Sequence, residues 1–287
     1  AESSAAVFRA AFPVSIAGRV ADFQGGGMTI RKIPMSRRDI VLGLAAGTII
    51  PVAGCAQNSA LGRSQLQLVS NDQIMMLSQQ AWQEALQRER VLRDPRYNRR
   101  LQRVGANMVA RTGMADLDWE FVVIDSDQVN AWVLPNGKVA FYRGILDIME
   151  EDGHIATVMG HEMGHVAGRH AAERASQQRA SQIGLQIAGA LLQQQGVDFN
   201  DDMAAALGAG VTYGVILPYS RQHEFEADRL GVDYMVMAGY APHQALDFWV
   251  AMSTLHQDAS YEFMSTHPSD EARIDAMRAH ITAQGYA

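Results

Sequence analysis

Apolar residues recur at helical spacing from Ile155 through Val158, Met159 and Met163 to Val166. That period predicts a helix with one buried side, and Asp152 stands where it can cap the start. Further helices are expected over "SRQHEFEADRLGVDYMVMAGY", "AAERASQQRASQIGLQIAGALLQQQ", "DDMAAALGAGVTYGVIL", "HQALDFWVAMSTLHQ" and "SDEARIDAMRAHITAQ". The third of these carries Gly208, Gly210 and Gly214, as close helix packing needs, and is too short for a membrane span. Just before the Ile155 helix the period changes. Trp119 to Ile124 is an apolar, β-branched run, and "AWVLPNGKVAFY" reads as two short strands around a Pro-Asn-Gly turn. The expected fold is therefore α+β, mainly helical, with a small sheet and hairpin beside one helix.

The pattern near the beginning is of another kind. In "MSRRDIVLGLAAGTIIPVAGC" two arginines precede an apolar run from Ile40 to Val52, and small residues then lead to Cys55, the single cysteine of the chain. This is the form of a signal peptide, with either a twin-arginine or a general secretion route open. "VAGC" resembles a lipobox, which makes Cys55 the candidate lipidation site and implies attachment to a membrane through its lipid. The expected divisions are residues 1–27 as an upstream extension, 28–54 as signal peptide, 55–70 as linker and 71–287 as one catalytic domain. Beyond residue 54, 18 basic residues stand against 28 acidic ones, a net charge of −10 where the whole chain has −7. An acidic surface argues against nucleic acid as a partner.

The candidate chemistry lies on the first helix. In "HEMGH", His161 and His165 are four apart and share a helix face, so both imidazoles can reach one tetrahedral Zn2+. Glu162 is rotated by about 100° and can reach a water held there rather than the metal. A catalytic zinc needs a third protein ligand. On the downstream helix Glu224 and Asp228 are also four apart, so that Glu224 can supply a carboxylate and Asp228 can orient a ligand histidine from behind. Glu226 competes for the ligand role, and the same spacing suits an acidic solvated face. His154, His170, His223, His243, His256 and His280 have no spacing that favours them as ligands and are expected at the surface or in caps.

"HEMGH", "YSRQHEFEADRLG" and "STHPSDEAR" together resemble metallopeptidase family forty-eight, the zinc peptidases of the HtpX and CAAX prenyl endopeptidase type, from about Asn71 onward. The resemblance implies a zincin-like fold with one zinc per chain, bound by His161, His165 and Glu224. It makes Glu162 the general base, Asp228 the partner behind a ligand, and Arg273 a supporting residue. His267 becomes either a fourth ligand at rest or a donor to the transition state. Within the family the likeness is to small periplasmic lipoproteins. That implies a lipid-anchored endopeptidase on the periplasmic side of the envelope, at the outer membrane, acting on misfolded or unassembled envelope proteins. An extended substrate would pair with Asn130, Ala131, Trp132, Val133 and Leu134. The alternative is a chaperone-like binding module whose zinc site is latent or structural. The oligomeric state is left open.

Overall fold

The computed structural model describes residues 54–194, 217–254 and 271–286, with Asn200, Ala205, Gly208, Phe263, Thr266 and His267. The expected extension (1–27) and all but the last residue of the signal peptide (28–54) lie outside the described residues, as does His256. So does most of the helix expected over 201–217.

The described residues open with a hairpin, β1 (Cys55–Asn58) and β2 (Arg63–Leu66), where a linker was expected. It then forms α1 (Asn71–Arg88) and α2 (Pro95–Thr112). Ser70 and Gln73 make a capping box at the start of α1, while Asp94 caps α2 ahead of Pro95. Three strands follow: β3 (Glu120–Ile124), β4 (Ala131–Val133) and β5 (Lys138–Tyr142). β5 is central, parallel to β3 and antiparallel to β4, and all five of its residues are buried. The expected turn closes the β4–β5 hairpin: the Gly137 N–H donates to the Leu134 carbonyl at 2.9 Å, with Gly137 at a φ of +83° that its missing Cβ permits. β4 is thus an edge of the sheet among the described residues.

After a short α3 (Arg143–Asp147) come α4 (Asp152–Ala167), α5 (His170–Gln194), α6 (Leu217–Met237), α7 (His243–Thr254) and α8 (Glu271–Gln284). As the spacing predicts, Ile155, Val158, Met159 and Met163 are fully buried. Asp152 differs from expectation. It is the first residue of α4, not its cap, and bonds Arg100 and Arg103 of α2. No helix among the described residues is long and apolar enough to cross a membrane.

α4 and α6 are the most closely packed pair, and they touch backbone to backbone. A Cβ added at Gly160 would lie 2.7 Å from the Gly231 carbonyl oxygen, and one at Gly164 would lie 2.7 Å from that of Ala227. Since Gly160 precedes Gly164 while Gly231 follows Ala227, the helices are antiparallel. Their side chains therefore meet in fixed pairs down the seam.

Candidate metal centre

α4 presents His161 and His165 one turn apart, and the antiparallel seam sets Asp228 against the first and Glu224 against the second. The His161 Nδ1–H donates to Asp228 at 2.8 Å. The inward-facing atoms then cluster. Nε2 of His161 lies 3.1 Å from Nε2 of His165 and 3.3 Å from Glu224 Oε2, and Nε2 of His165 lies 3.4 Å from Glu224 Oε1. Nδ1 of His267 completes the group, 3.0 Å from both His161 Nε2 and Glu224 Oε2. A zinc ion with ligand atoms at about 2.0–2.1 Å in a tetrahedron separates them by roughly 3.3 Å. Three imidazole nitrogens and a carboxylate at this spacing fit zinc in both size and donor type.

The surrounding charges hold these groups in place. Asp228 accepts from Arg273 Nε and from the same guanidinium's Nη2, both at 2.7 Å, and a third nitrogen of that group stands 3.2 Å from Glu224. Arg273 is buried and lies over the Trp249 ring at 4.7 Å. Burial would raise the Asp228 carboxyl, but Arg273 and His161 bring it below its ordinary value. Burial would lower the His161 imidazole, yet its bonds to Asp228 and Glu224 raise it to about 9. Glu224 is likewise pulled well down, against burial, by His267, His165 and His161. His165, by contrast, is lowered by burial itself.

Glu162 stands apart from the donor cluster. Burial raises its carboxyl despite His267 and His161 nearby, and the Val133 backbone bonds it from β4. Its Oε1 is buried without a hydrogen-bond partner, and His267 Nε2 is 3.5 Å away. A cavity of about 1160 Å³ opens here, lined by Glu162, His165, Glu224 and His267 together with Asn130 to Pro135. Every residue of the expected substrate strand reaches this wall. Trp132 also packs its ring edge-on to Trp82 at 5.8 Å. Cys55, the candidate lipidation site, is exposed at the start of β1.

Two histidines set aside in the sequence are not at the surface. His170 and His223 are buried and stack at 4.3 Å between ring centres. His170 Nδ1 is 2.9 Å from His165 Nδ1, and His170 Nε2 is 3.1 Å from Glu226. Glu226 thus faces away from the donor cluster, which Glu224 joins. The one hint in the sequence was His170's position five residues after His165. Of the others, His243 is exposed and His280 bonds Asp233 at 2.7 Å.

Residues 95–281 match Peptidase family M48. The chain belongs to that family. Among its relatives, the mitochondrial metalloendopeptidase OMA1 of Schizosaccharomyces pombe is 33% identical over 176 residues, 61% of this chain and 50% of that protein. OMA1 of Arabidopsis thaliana is 32% identical over 57% of this chain and 32% of its own. The beta-barrel assembly-enhancing protease of Escherichia coli K12 is 27% identical over 250 residues, 80% of this chain and 49% of that protein. The chain thus spans about half or less of each of these M48 relatives.

Proposed function

We propose that the chain is a zinc endopeptidase in which His161, His165 and Glu224 hold the metal and Glu162 is the general base. One observation carries this reading: Glu162, His165 and Glu224 line the same cavity as an edge strand, with His161 joined to the two donors behind them. When bound, zinc supplies Lewis-acid polarisation of the scissile carbonyl and makes water acidic enough to give up a proton near neutrality. Glu162 takes that proton from the attacking water and passes it to the leaving amine. Its raised pKa suits it to hold the proton between the two steps. Asp228 and Arg273 keep His161 in one orientation, and Asn130 to Leu134 align an extended peptide.

His267 gives the resting enzyme a latent form. With Nδ1 at the fourth corner of the cluster, it stands where water must enter. Glu162 supports a gated protease over a purely structural metal site, because it has no role in the latter. The substrates we propose are misfolded or unassembled envelope proteins, reached from the periplasmic side by a chain anchored through lipid on Cys55. The lipobox-like sequence and the relative named for β-barrel assembly support this placement, while the OMA1 relatives are mitochondrial. Digestion of unfolded casein by the purified chain, with and without a zinc chelator, tests the activity. Chelator-sensitive cleavage is expected, and no cleavage by the zinc-loaded His267→Ala chain, whose fourth corner is open, would overturn it.

A further inference from the structure

The two ligand histidines are backed differently. His161 leans on Asp228 and Arg273, whereas His165 leans on His170, which in turn leans on Glu226. To reach that place the chain turns sharply between α4 and α5. Arg169 takes a φ of 51°, a left-handed conformation unfavourable for a residue with a Cβ. The turn brings His170, which is fully buried, behind His165.

Beyond Glu226 the chain of contacts continues to the N-terminal hairpin. Arg63 of β2 grips Glu226 at 2.6 and 2.8 Å and Glu173 of α5 at 2.9 and 2.8 Å. Glu173 accepts in addition from Gln65 at 2.8 Å and from His223 at 2.9 Å. An ionised carboxylate only accepts, so the direction of each bond follows from Glu226 inward. His170 must donate through Nε2 and therefore offers a lone pair at Nδ1. His165 must then carry its proton on Nδ1, which leaves Nε2 bare toward the metal centre.

We propose that His170 is a positioning residue that fixes the tautomer and orientation of His165, and that the hairpin β1–β2 supports it through Arg63 and Glu226. This rests on the zinc reading given above. His170, His223 and Glu226 lie close enough to suggest a second metal site of their own. The Arg63 guanidinium argues against one, since it already holds Glu226 and would repel a cation.

The test uses the full chain and measures zinc dissociation by competition with a chelator, alongside kcat, KM and the melting temperature of the zinc-free protein. His170→Leu keeps the bulk but has no acceptor, so zinc affinity and kcat should fall about 10–100-fold with KM little changed. His170→Gln, whose amide oxygen can accept from His165, should recover most of the loss. Arg63→Gln should weaken zinc in the same direction by less. A merely structural role would lower melting and leave zinc affinity alone. If His170→Leu does not fold, Arg63→Gln with unchanged zinc affinity overturns the proposal, as does His170→Gln no better than an acceptor-free variant. Two zinc ions per wild-type chain also overturn it. A wild-type chain that binds no zinc removes the metal reading itself, whereas one zinc bound equally by all variants removes only the relay.

Discussion

Gly164→Ala tests whether the contact between α4 and α6 sets the metal centre. The new Cβ would stand 2.7 Å from the Ala227 carbonyl oxygen and 2.9 Å from its Cα. Both are backbone atoms, so no side chain can rotate away. Restoring an ordinary contact of about 3.4 Å requires the helices to part by about 0.7 Å. Gly164 adjoins His165, and Ala227 is three residues from Glu224. The parting therefore acts on the distance between two proposed ligands, where metal sites tolerate about 0.2 Å. Alanine gains about 1 kcal/mol over glycine in helix propensity, and overpacking costs about 1–3 kcal/mol. With only backbone to yield, the cost falls at the upper end, leaving a net loss of about 1–2 kcal/mol. That corresponds to about 2–8 °C in melting temperature for a domain of this size. Gly184→Ala, at an exposed position of α5, meets nothing within 4 Å and should instead gain about 0.5–1 kcal/mol. Thermal melts with and without chelator, and zinc titration of both variants, measure the two effects. A Gly164→Ala protein that melts at or above wild type and binds zinc equally would refute the argument.

Other outcomes are expected. Glu162→Gln should retain zinc by elemental analysis and lose peptide cleavage by about 10²–10⁴-fold, and casein digestion at the parental rate would exclude it as the base. His267→Ala should cleave peptide faster than wild type at equal zinc content, because it opens the fourth corner, and slower cleavage would make His267 a transition-state donor instead. Burial would raise the Glu173 carboxyl, but bonds from His223, Arg63 and Gln65 lower it to about 2, so its stabilisation is complete above about pH 4.5 and lost as pH falls toward 2. Melting curves of wild type and Glu173→Gln should accordingly differ at neutral pH and converge on acidification, and a pH-independent gap would refute this. Cys55→Ser should abolish labelling by a fatty-acid probe and release the chain from membranes, and labelling that persists would exclude lipidation there.

The donor cluster was readable because each half of it lies on one helix. Four-residue spacing fixes a face, so His161 with His165 and Glu224 with Asp228 could be paired without knowing how the helices meet. The β4–β5 hairpin was readable from its Pro-Asn-Gly turn. The network behind His165 was not. Its members come from β2, α5 and α6, and they meet only because glycines bring α4 and α6 into backbone contact and Arg169 turns the chain back. Residues 55–70 passed for a linker since "CAQN" and "RSQL" show no apolar alternation. Their strands are secured by polar burial instead: Asn58 bonds Gln65 at 2.8 Å, and Gln65 bonds the Gly168 carbonyl at 2.6 Å.

If substrate pairs with the edge strand β4 as proposed, that strand would also bear on which clients are chosen. A strand added to it would be held through main-chain N–H and C=O groups, which every residue except proline presents alike. Binding of this kind is nearly blind to sequence and sensitive to shape, since a segment must first be free of its own helix or sheet. A native protein would have to surrender part of its stability, about 5–15 kcal/mol in all, to offer such a segment, while an unassembled one offers it at no cost. Discrimination would then reside in the client's folding free energy, and the protease would need no recognition sequence to spare the proteins that have reached their native state.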